Sequence, residues 1–500
     1  MASTASNSDN KQLDPPKPPD GWDRCHAYIT QKRRFCRQRP HGSLIYCGNH
    51  QHMFADNNED DKNKRKRIPC PIDPSHLIYE DMVEKHKSVC PHAKRRRSQE
   101  EQAYYQENMN TGGHGSMGET SIPTDSSEWA KRVALRVLAV HQKIFGGEKE
   151  PDSITLEDLH QAIPLHDLSQ PELDAGLLEG VQAYRIKSGG ARHLPQLASL
   201  VGHLRDINVI AKQGKISEAE DELVLLEMGA GRGMFGLTAA GVASAANQKV
   251  RLTMVERGVS RSKADTVLRN LPKNPESSYL KLEDVQWSRL VCDLANVNLP
   301  TVMKDQKGKI IVIAKHLCGA GTDLALKSID PIKEDVSACV LATCCHGVCT
   351  WKDYVGRDYL TEAMECDKLS FGSAEFDLLR RWSAGTVSSL EDKTATNNHN
   401  AQPQHQDPAD AEVEHTVCVD CKDSDLSQGN LYISAVVQHL GLICGIQGLG
   451  RACQRLIDHG RREYLRKVIF ANKKGAHKLI YYVPAEVTPQ NALLLSHLEN

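Results

Sequence analysis

The chain has 500 residues, 40% of them hydrophobic and 25% charged, and 62 Lys and Arg stand against 64 Asp and Glu. This is close to the soluble globular average and suits an enzyme of several domains with disordered segments. The net charge of −2 sets up no overall field for nucleic acid, so any basic surface is local, and no apolar run approaches the roughly 20 residues that span a bilayer.

Residues 1–20 are polar and Pro-rich, lack the apolar core of a secretory signal and read as a disordered leader. The 16 cysteines then point to reduced thiols and metal sites rather than disulfides. Cys25, Cys36, Cys47 and His50 form the first cluster, with His52 close behind. Three thiolates and an imidazole make a closed tetrahedral zinc set. A stretch so poor in apolar residues takes most of its stability from the metal, so residues 21–53 are expected to be a CCCH zinc module. Lys32, Arg33, Arg34, Arg37 and Arg39 beside Phe35 offer phosphate contacts and a ring for base stacking; a solvated charged loop is the alternative.

Residues 53–67 read as a linker, acidic and then basic. Cys70, His76, His86 and Cys90 follow, and the interval from His86 to Cys90 places both on one face of a helix from about Tyr79. Residues 67–93 are thus a second module, which resembles the CHHC zinc finger of RNA-processing proteins. The run Lys94–Arg97 adds RNA-phosphate contacts or a nuclear address; nucleus, cytoplasm or both are the expected compartments.

Residues 94–127 read as a linker. A helix is predicted over Trp129–Phe145, with Val133, Val137 and Val140 on one face; more helical patterns fill 151–188 and the stretch after Pro195. His193 and His203 read as structural. Leu223–Leu226 is a buried strand ending at Glu227, Gly229, Gly231 and Gly233 make a turn, and a helix begins at Met234. A strand, a glycine turn and a helix cradle a nucleotide cofactor at the carboxyl end of the strand. The E-x-G-x-G-x-G spacing favours S-adenosylmethionine (SAM) over a dinucleotide, whose fingerprint is G-x-G-x-x-G.

A second strand, Leu252–Glu256, ends in an acid that suits ribose hydroxyls in either case. A third lies in Trp287–Leu299 and brings Asp293 to an adenine amine or to the cap of the next helix. The fourth, Lys309–Ile313, is apolar throughout, as a central parallel strand requires. Lys315 and His316 lie in the loop after it; either can deprotonate or orient a hydroxyl, and Lys315 can instead contact a substrate phosphate. The absence of an Asn-Pro-Pro-aromatic box there argues against methylation of a base amine. A fifth strand, Ser337–Thr343, ends in CCHGVC, read as tight packing or substrate binding, with a metal site on Cys344, Cys345, His346 and Cys349 as the alternative. Trp351, Tyr354 and Tyr359 are candidates for base stacking. Residues 385–429 read as a disordered insertion holding an unassigned Cys418–Cys421 pair. Arg451, Arg455, Arg461, Arg462 and Arg466 recur at near-helical spacing, a basic face suited to nucleic acid, and Lys478–Val483 is a last strand.

Taken in order, the CCCH set, the CHHC set, EMGAGRG, AKHLCGAGTD and CCHGVC resemble the eukaryotic tRNA methyltransferases that 2′-O-methylate nucleotide 4 of the acceptor stem. The resemblance covers nearly the whole chain outside the leader, 98–127 and 385–429, and departs at Gly347, where a polar residue is expected. It implies an α/β fold: a Rossmann-like, SAM-dependent methyltransferase domain over 128–500 behind two small zinc-binding modules. SAM is then the methyl donor, and tRNA with cytidine or adenosine at position 4 the substrate. Neither a membrane nor an obligatory protein partner is expected. Glu227, Gly229, Gly231, Gly233 and Glu256 would hold SAM, Asp293 would meet the adenine, and Lys315 or His316 would handle the hydroxyl proton. Two alternatives stand: a zinc-finger RNA-binding protein with an inactive methyltransferase-like domain, and an NAD-linked dehydrogenase using the same cradle.

Overall fold

A computed structural model describes residues 18, 21–29, 34–40, 45–47, 50, 67–74, 76–112, 120–186, 193–211, 222–258, 264–306, 308–318, 320–367, 369–384 and 432–499. The expected leader apart from residue 18, most of the 53–67 linker, the 385–429 insertion with its two cysteines, and Lys32 and Arg33 lie outside the described residues. The chain divides into two compact units, 1–101 and 102–500.

In the first unit, β1 (Tyr28–Ile29) pairs with β2 (Arg34–Phe35), and β3 (Arg67–Pro69) with β4 (Leu77–Tyr79), both antiparallel. A 3-10 turn at Glu80–Met82 leads into α1 (Val83–Val89), and α2 (Pro91–Glu100) follows. The helix of the second module therefore starts after Tyr79, which is the last residue of a strand. The buried apolar set is mostly the cysteines themselves: Cys25, Ala27, Cys36 and Cys47 in one cluster, Cys70, Ile78 and Cys90 in the other. Cores this small cannot offset a backbone ordering cost of about 1–2 kcal/mol per residue, which leaves metal as the chief stabiliser. Phe35 is half-buried, its ring 6.0 Å from Trp22 and 5.2 Å from Tyr28, so it packs the module and is not a free stacking platform. Lys94–Arg97 are exposed on α2.

The second unit opens with the chain laid against its own body. Asn110 Nδ2 donates to the carbonyls of Leu294 and Val297, at 2.7 and 2.8 Å, and Tyr105 bridges to Val297. Residues 102–112 are thus an ordered part of this unit, where a linker was expected. Four helices follow: α3 (Ser126–Phe145), α4 (Leu156–Gln161), α5 (Pro171–Ala183) and α6 (His193–Asp206). The sheet strands are β5 (Leu223–Met228), β6 (Val250–Val255), β7 (Gln286–Leu290), β8 (Ile310–Leu317), β9 (Val336–Thr343), β10 (Gly475–Tyr481) and β11 (Ala492–Leu498). Their spatial order is β10-β11-β9-β8-β5-β6-β7. The pairs among β5 to β9 are parallel, and β11 runs antiparallel to both its neighbours. Helices α7 (Met234–Ala245), α8 (Ala264–Arg269), α9 (Leu299–Met303) and α10 (Gly321–Ile329) connect the parallel strands. This is a mixed α/β fold with a mostly parallel sheet.

Sequence alternation builds the two faces. Val224, Leu226, Met228, Val312 and Ala314 join one core cluster, while Leu225, Ile311 and Ile313 join the other. Successive side chains of a strand point to opposite faces, and a strand covered on both sides is apolar throughout. Strand order reverses at β5: the chain leaves through β6 and β7 on one side and returns to β8 on the other.

Two strand limits differ from expectation. The third strand stops at Leu290, short of Asp293, and Leu299 opens α9, whose Thr301 N–H is capped by the Asn298 side chain at 3.1 Å. The fourth continues past Ile313 to Leu317, so Lys315 and His316 belong to the strand.

The expected basic face is largely interior. On the helix Gly445–Tyr464, Arg455 and Arg461 are fully buried and Arg451 nearly so. Asp458 on the same helix accepts from His346 Nε2 at 2.8 Å, Thr343 Oγ1 at 3.0 Å, Arg455 at 3.1 Å and Arg461 at 3.3 Å. Arg461 also grips Asp323 on α10, at 2.6 Å. Burial alone would raise the Asp458 carboxyl, but His346, Arg455 and Arg461 hold it well below the usual carboxylate range. Arg462 and Arg466 are tied to Glu463. Tyr354 is equally unavailable for base stacking: it donates to the Ile457 carbonyl at 2.9 Å and stacks on Phe376. Trp351 packs among Tyr354, Phe371 and Phe376, and Tyr359 lies under Lys467. Among the described residues, no single helix is long and apolar enough to cross a membrane.

Breaking a buried ion pair by removing one partner costs about 3–5 kcal/mol. Asp458→Asn, which withdraws the anion from two buried guanidinium groups, is therefore expected to destabilise the second unit by about that amount. Urea unfolding followed by circular dichroism checks it; an unchanged midpoint would show that the network contributes nothing net.

Candidate active site and metal centres

The carboxyl ends of β5, β6, β7 and β8 meet where the strand order reverses, the place where open α/β sheets bind ligands. The turn after β5 is built by glycines that differ in what they permit. Gly229, at φ 58°, lies so close to β8 that a Cβ would stand 2.5 Å from Leu317 Cδ2. Gly231, at φ 51°, has no described residue within 4 Å of its Cβ position. Only a residue without Cβ adopts these left-handed angles freely. Among the described residues, this side of Gly231 leaves the room that a cofactor cradle requires. Gly233 is the N-cap of α7.

Glu256, just past β6, accepts from Gly231 N–H at 2.8 Å and from Gly258 N–H at 2.6 Å, so its carboxylate stands at the rim of the cradle. Asp293, past β7, is half-buried; it accepts from Ala295 N–H at 3.0 Å and lies 3.8 Å from Arg257. Both expected carboxylates thus stand at the carboxyl ends of neighbouring strands, beside the glycine turn. Glu227 sits differently. It is buried beneath the first turn of α7, where a Cβ on Gly236 would meet its Oε2 at 2.5 Å. Burial pushes its carboxyl up to about 8, against the pull of the Gly236 N–H and Arg289. Its place is under the cradle, as a support for the turn. Arg289 is a second support that sequence reasoning missed: it donates to the Gly231 carbonyl at 3.1 Å and pairs with Asp265 on α8 at 3.1 Å. No spacing rule links an arginine in β7 with a glycine 58 residues earlier.

Lys315 and His316 owe their position to an irregularity. Ala314 pairs with Leu341 and Leu317 with Thr343, so three steps along β8 match two along β9. This is a β-bulge, and bulges re-aim side chains next to active sites. Ala314 and Leu317, on either side of it, both stay in the same core cluster. The bulged residues are released from it: Lys315 is half-buried and His316 exposed. Lys315 Nζ lies 2.9 Å from His193 Nδ1. His193, read from sequence as structural, is thus the partner of the candidate base. The 122 residues between them hid the pair.

In the first unit each expected zinc set converges. The ligand atoms of Cys25, Cys36, Cys47 and His50 all lie within 4.8 Å of one another, and so do those of Cys70, His76, His86 and Cys90. Two or three sulfurs with one or two imidazoles around one point are what zinc binds. Backbone bonds shape both sets: Cys36 N–H donates to the Ala27 carbonyl, and Cys70 N–H to that of His76. The four-residue set on Cys344, Cys345, His346 and Cys349 does not form, because His346 is turned to Asp458 and the Cys349 thiol to the His346 carbonyl.

Three family descriptions match the chain. "Methyltransferase TRM13" covers residues 195–424, "CCCH zinc finger in TRM13 protein" residues 23–51, and "U11-48K-like CHHC zinc finger" residues 67–91. Among curated relatives, the tRNA:m(4)X modification enzyme TRM13 homolog of Mus musculus is 25% identical across 95% of this chain and 94% of its own length. The Homo sapiens homolog is 26% identical across 94% of each. The tRNA:m(4)X modification enzyme TRM13 of Oryza sativa subsp. japonica is 31% identical across 42% of this chain and 80% of its own.

The buried Glu227 has a pH consequence. Its folded value of about 8 lies above its ordinary value of 4.5, so between the two the folded chain holds a proton that the unfolded chain releases. Stability contributed by this group therefore falls as pH rises through that window. Glu227→Gln cannot ionise, and its melting temperature is expected to fall less than that of the unsubstituted chain across the window. Parallel melting curves would mean that Glu227 is ionised in the folded chain.

Proposed function

Because the chain belongs to the TRM13 methyltransferase family, we propose that it moves a methyl group from SAM to the ribose 2′-hydroxyl of nucleotide 4 in the tRNA acceptor stem. It is a tRNA methyltransferase that uses SAM and carries two zinc fingers. The observation that carries the finer reading is the bulge at Lys315–His316, which sets the Lys315–His193 pair at the strand ends beside the open glycine turn. The order β7-β6-β5-β8-β9, with the cradle after its central strand, supports a Rossmann-like reading of the sheet.

SAM supplies a methyl group already activated on a sulfonium. Everything else falls to this chain's residues. Gly229, Gly231 and Gly233 let the backbone come close to the donor, Glu256 orients ribose hydroxyls, Asp293 takes the adenine amine, and Glu227 with Arg289 fixes the turn from below. Lys315 meets the attacking 2′-hydroxyl. The Lys315 ammonium first cedes a proton to His193 Nδ1, and the free amine then takes the proton of the attacking hydroxyl as its oxygen bonds the methyl group, which leaves the lysine cationic and the imidazole protonated. Holding oxygen and methyl in line is the main contribution, and such orientation is worth about 7–11 kcal/mol. An acceptor stem is A-form, and its wide, shallow minor groove displays the 2′-hydroxyls, which suits attack there. Lys94–Arg97, exposed on the helix after the second zinc set, would add phosphate contacts. We extend the proposal to a chain that acts without an obligatory protein partner or a membrane, in the nucleus, the cytoplasm or both.

Two measurements test this. The purified chain alone, given SAM with a labelled methyl group and bulk tRNA, is expected to label one ribose, at nucleotide 4, as a 2′-O-methylnucleoside by mass spectrometry of nuclease fragments; label on a base, or tight NAD binding without SAM binding, would overturn the reading. Lys315→Ala is expected to keep its SAM affinity by calorimetry and to lose about 10²–10⁴-fold in kcat, the usual contribution of general acid–base catalysis. Near-full activity would move the role to His316 or to no side chain.

A further inference from the structure

At the end of the sheet, past the bulge, three thiols come together that neither zinc finger uses. Cys318 follows β8, and Cys344 and Cys345 follow β9. Cys318 Sγ lies 3.8 Å from Cys344 Sγ and 3.4 Å from Cys345 Sγ, and all three sulfurs fall within 4.8 Å of one another. We propose that Cys318, Cys344 and Cys345 form a third metal centre, binding one zinc ion through three thiolates with its fourth position open to solvent.

Geometry carries this proposal. Two sulfurs bound to one tetrahedral zinc at about 2.3 Å are about 3.8 Å apart. In the two fingers the paired sulfurs are separated by 3.9 Å (Cys36–Cys47) and 4.0 Å (Cys70–Cys90). At the sheet end Cys318 and Cys344 repeat that spacing at 3.8 Å, and Cys345 Sγ stands closer, 3.4 Å from Cys318 Sγ. Consecutive residues leaving a strand would ordinarily point their side chains to opposite sides. Cys345 avoids this by taking a left-handed conformation, φ 44°, which turns its thiol back to the side of Cys344 and Cys318. A residue with a Cβ adopts that region uncommonly, and here it serves to gather sulfurs. Cys344 is buried while Cys318 and Cys345 reach the surface, so an ion held by all three meets solvent at its remaining position. Zinc sites with three protein ligands and one open position differ in this way from closed finger sites. The ion would join the ends of β8 and β9, the two strands whose mismatch forms the bulge, and so hold Lys315 and His316 in place. The assignment stands whether or not the methyl-transfer reading does, because its readout is metal content.

The test counts zinc per full-length chain by inductively coupled plasma mass spectrometry after purification with reductant and without chelator. Three ions per chain are expected, with two in Cys318→Ser and two in Cys345→Ser, while SAM affinity reports that the variants remain folded. On the unsubstituted chain, added zinc is expected to protect Cys318 and Cys345 from alkylation, and chelator to restore their labelling; this arm does not depend on the variants folding. Two ions in the unsubstituted chain at saturating zinc, three ions unchanged by both substitutions, or no protection would overturn the proposal. So would a Cys318–Cys345 disulfide found by peptide mapping in a chain holding two ions, which would make the cluster a redox pair.

Discussion

The buried charge cluster around Asp458 is the constraint on which the catalytic end of the sheet depends. One carboxylate is satisfied by an imidazole, a hydroxyl and two guanidinium groups. Those groups come from three segments: the end of β9, the turn after it, and the helix Gly445–Tyr464. Arg461 carries the chain of contacts on to Asp323 at the start of α10. The segments that follow β8 and β9 are thereby anchored from behind, and they hold Cys318, Cys344 and Cys345 and border the bulge. Buried charges are tolerated only when paired and hydrogen-bonded, so the network fixes the relative placement of its members.

Much of the fold was legible. Apolar runs ending in acids marked β5 and β6, and the glycine turn marked the cradle, because a backbone that must approach a ligand restricts residue choice sharply. Both zinc sets were legible for a similar reason: a module without a core must show its ligands. What stayed hidden was long-range. His193 and Lys315, or Arg289 and Gly231, are brought together by sheet order, which no local period encodes. The arginines of Gly445–Tyr464 were misread because their helical spacing is the same whether the face they share meets water or a buried carboxylate. Tyr354 was misread in the same way. Glu227 lies at the expected place on the strand but is buried. Its position on the strand was plain, whereas its direction, beneath α7, depends on how closely Gly236 lets that helix approach.

The CCHGVC segment shows how one motif divides its labour. His346 and Cys349 turn inward to hydrogen bonds within the protein, while Cys344 and Cys345 turn toward Cys318. A tetrad read along the sequence is therefore two half-motifs facing opposite ways. The left-handed Cys345 is the point where they part.

The bulge in β8 has one more consequence. Ala314 and Leu317 occupy the same face although three steps separate them, so the sheet already closes around the segment as if one residue were surplus. On the proposed mechanism, proton handling rests on the residues of that surplus step. Deleting one position between Ala314 and Leu317 would match β8 and β9 step for step at their carboxyl ends, while the shift between Ile310 and Ile311 would remain. The product would be a folded binder of donor and tRNA that lacks one of the two side chains set to handle the proton. On that mechanism catalyst and mere receptor are one codon apart, and a chain that has lost its activity need not have lost its architecture.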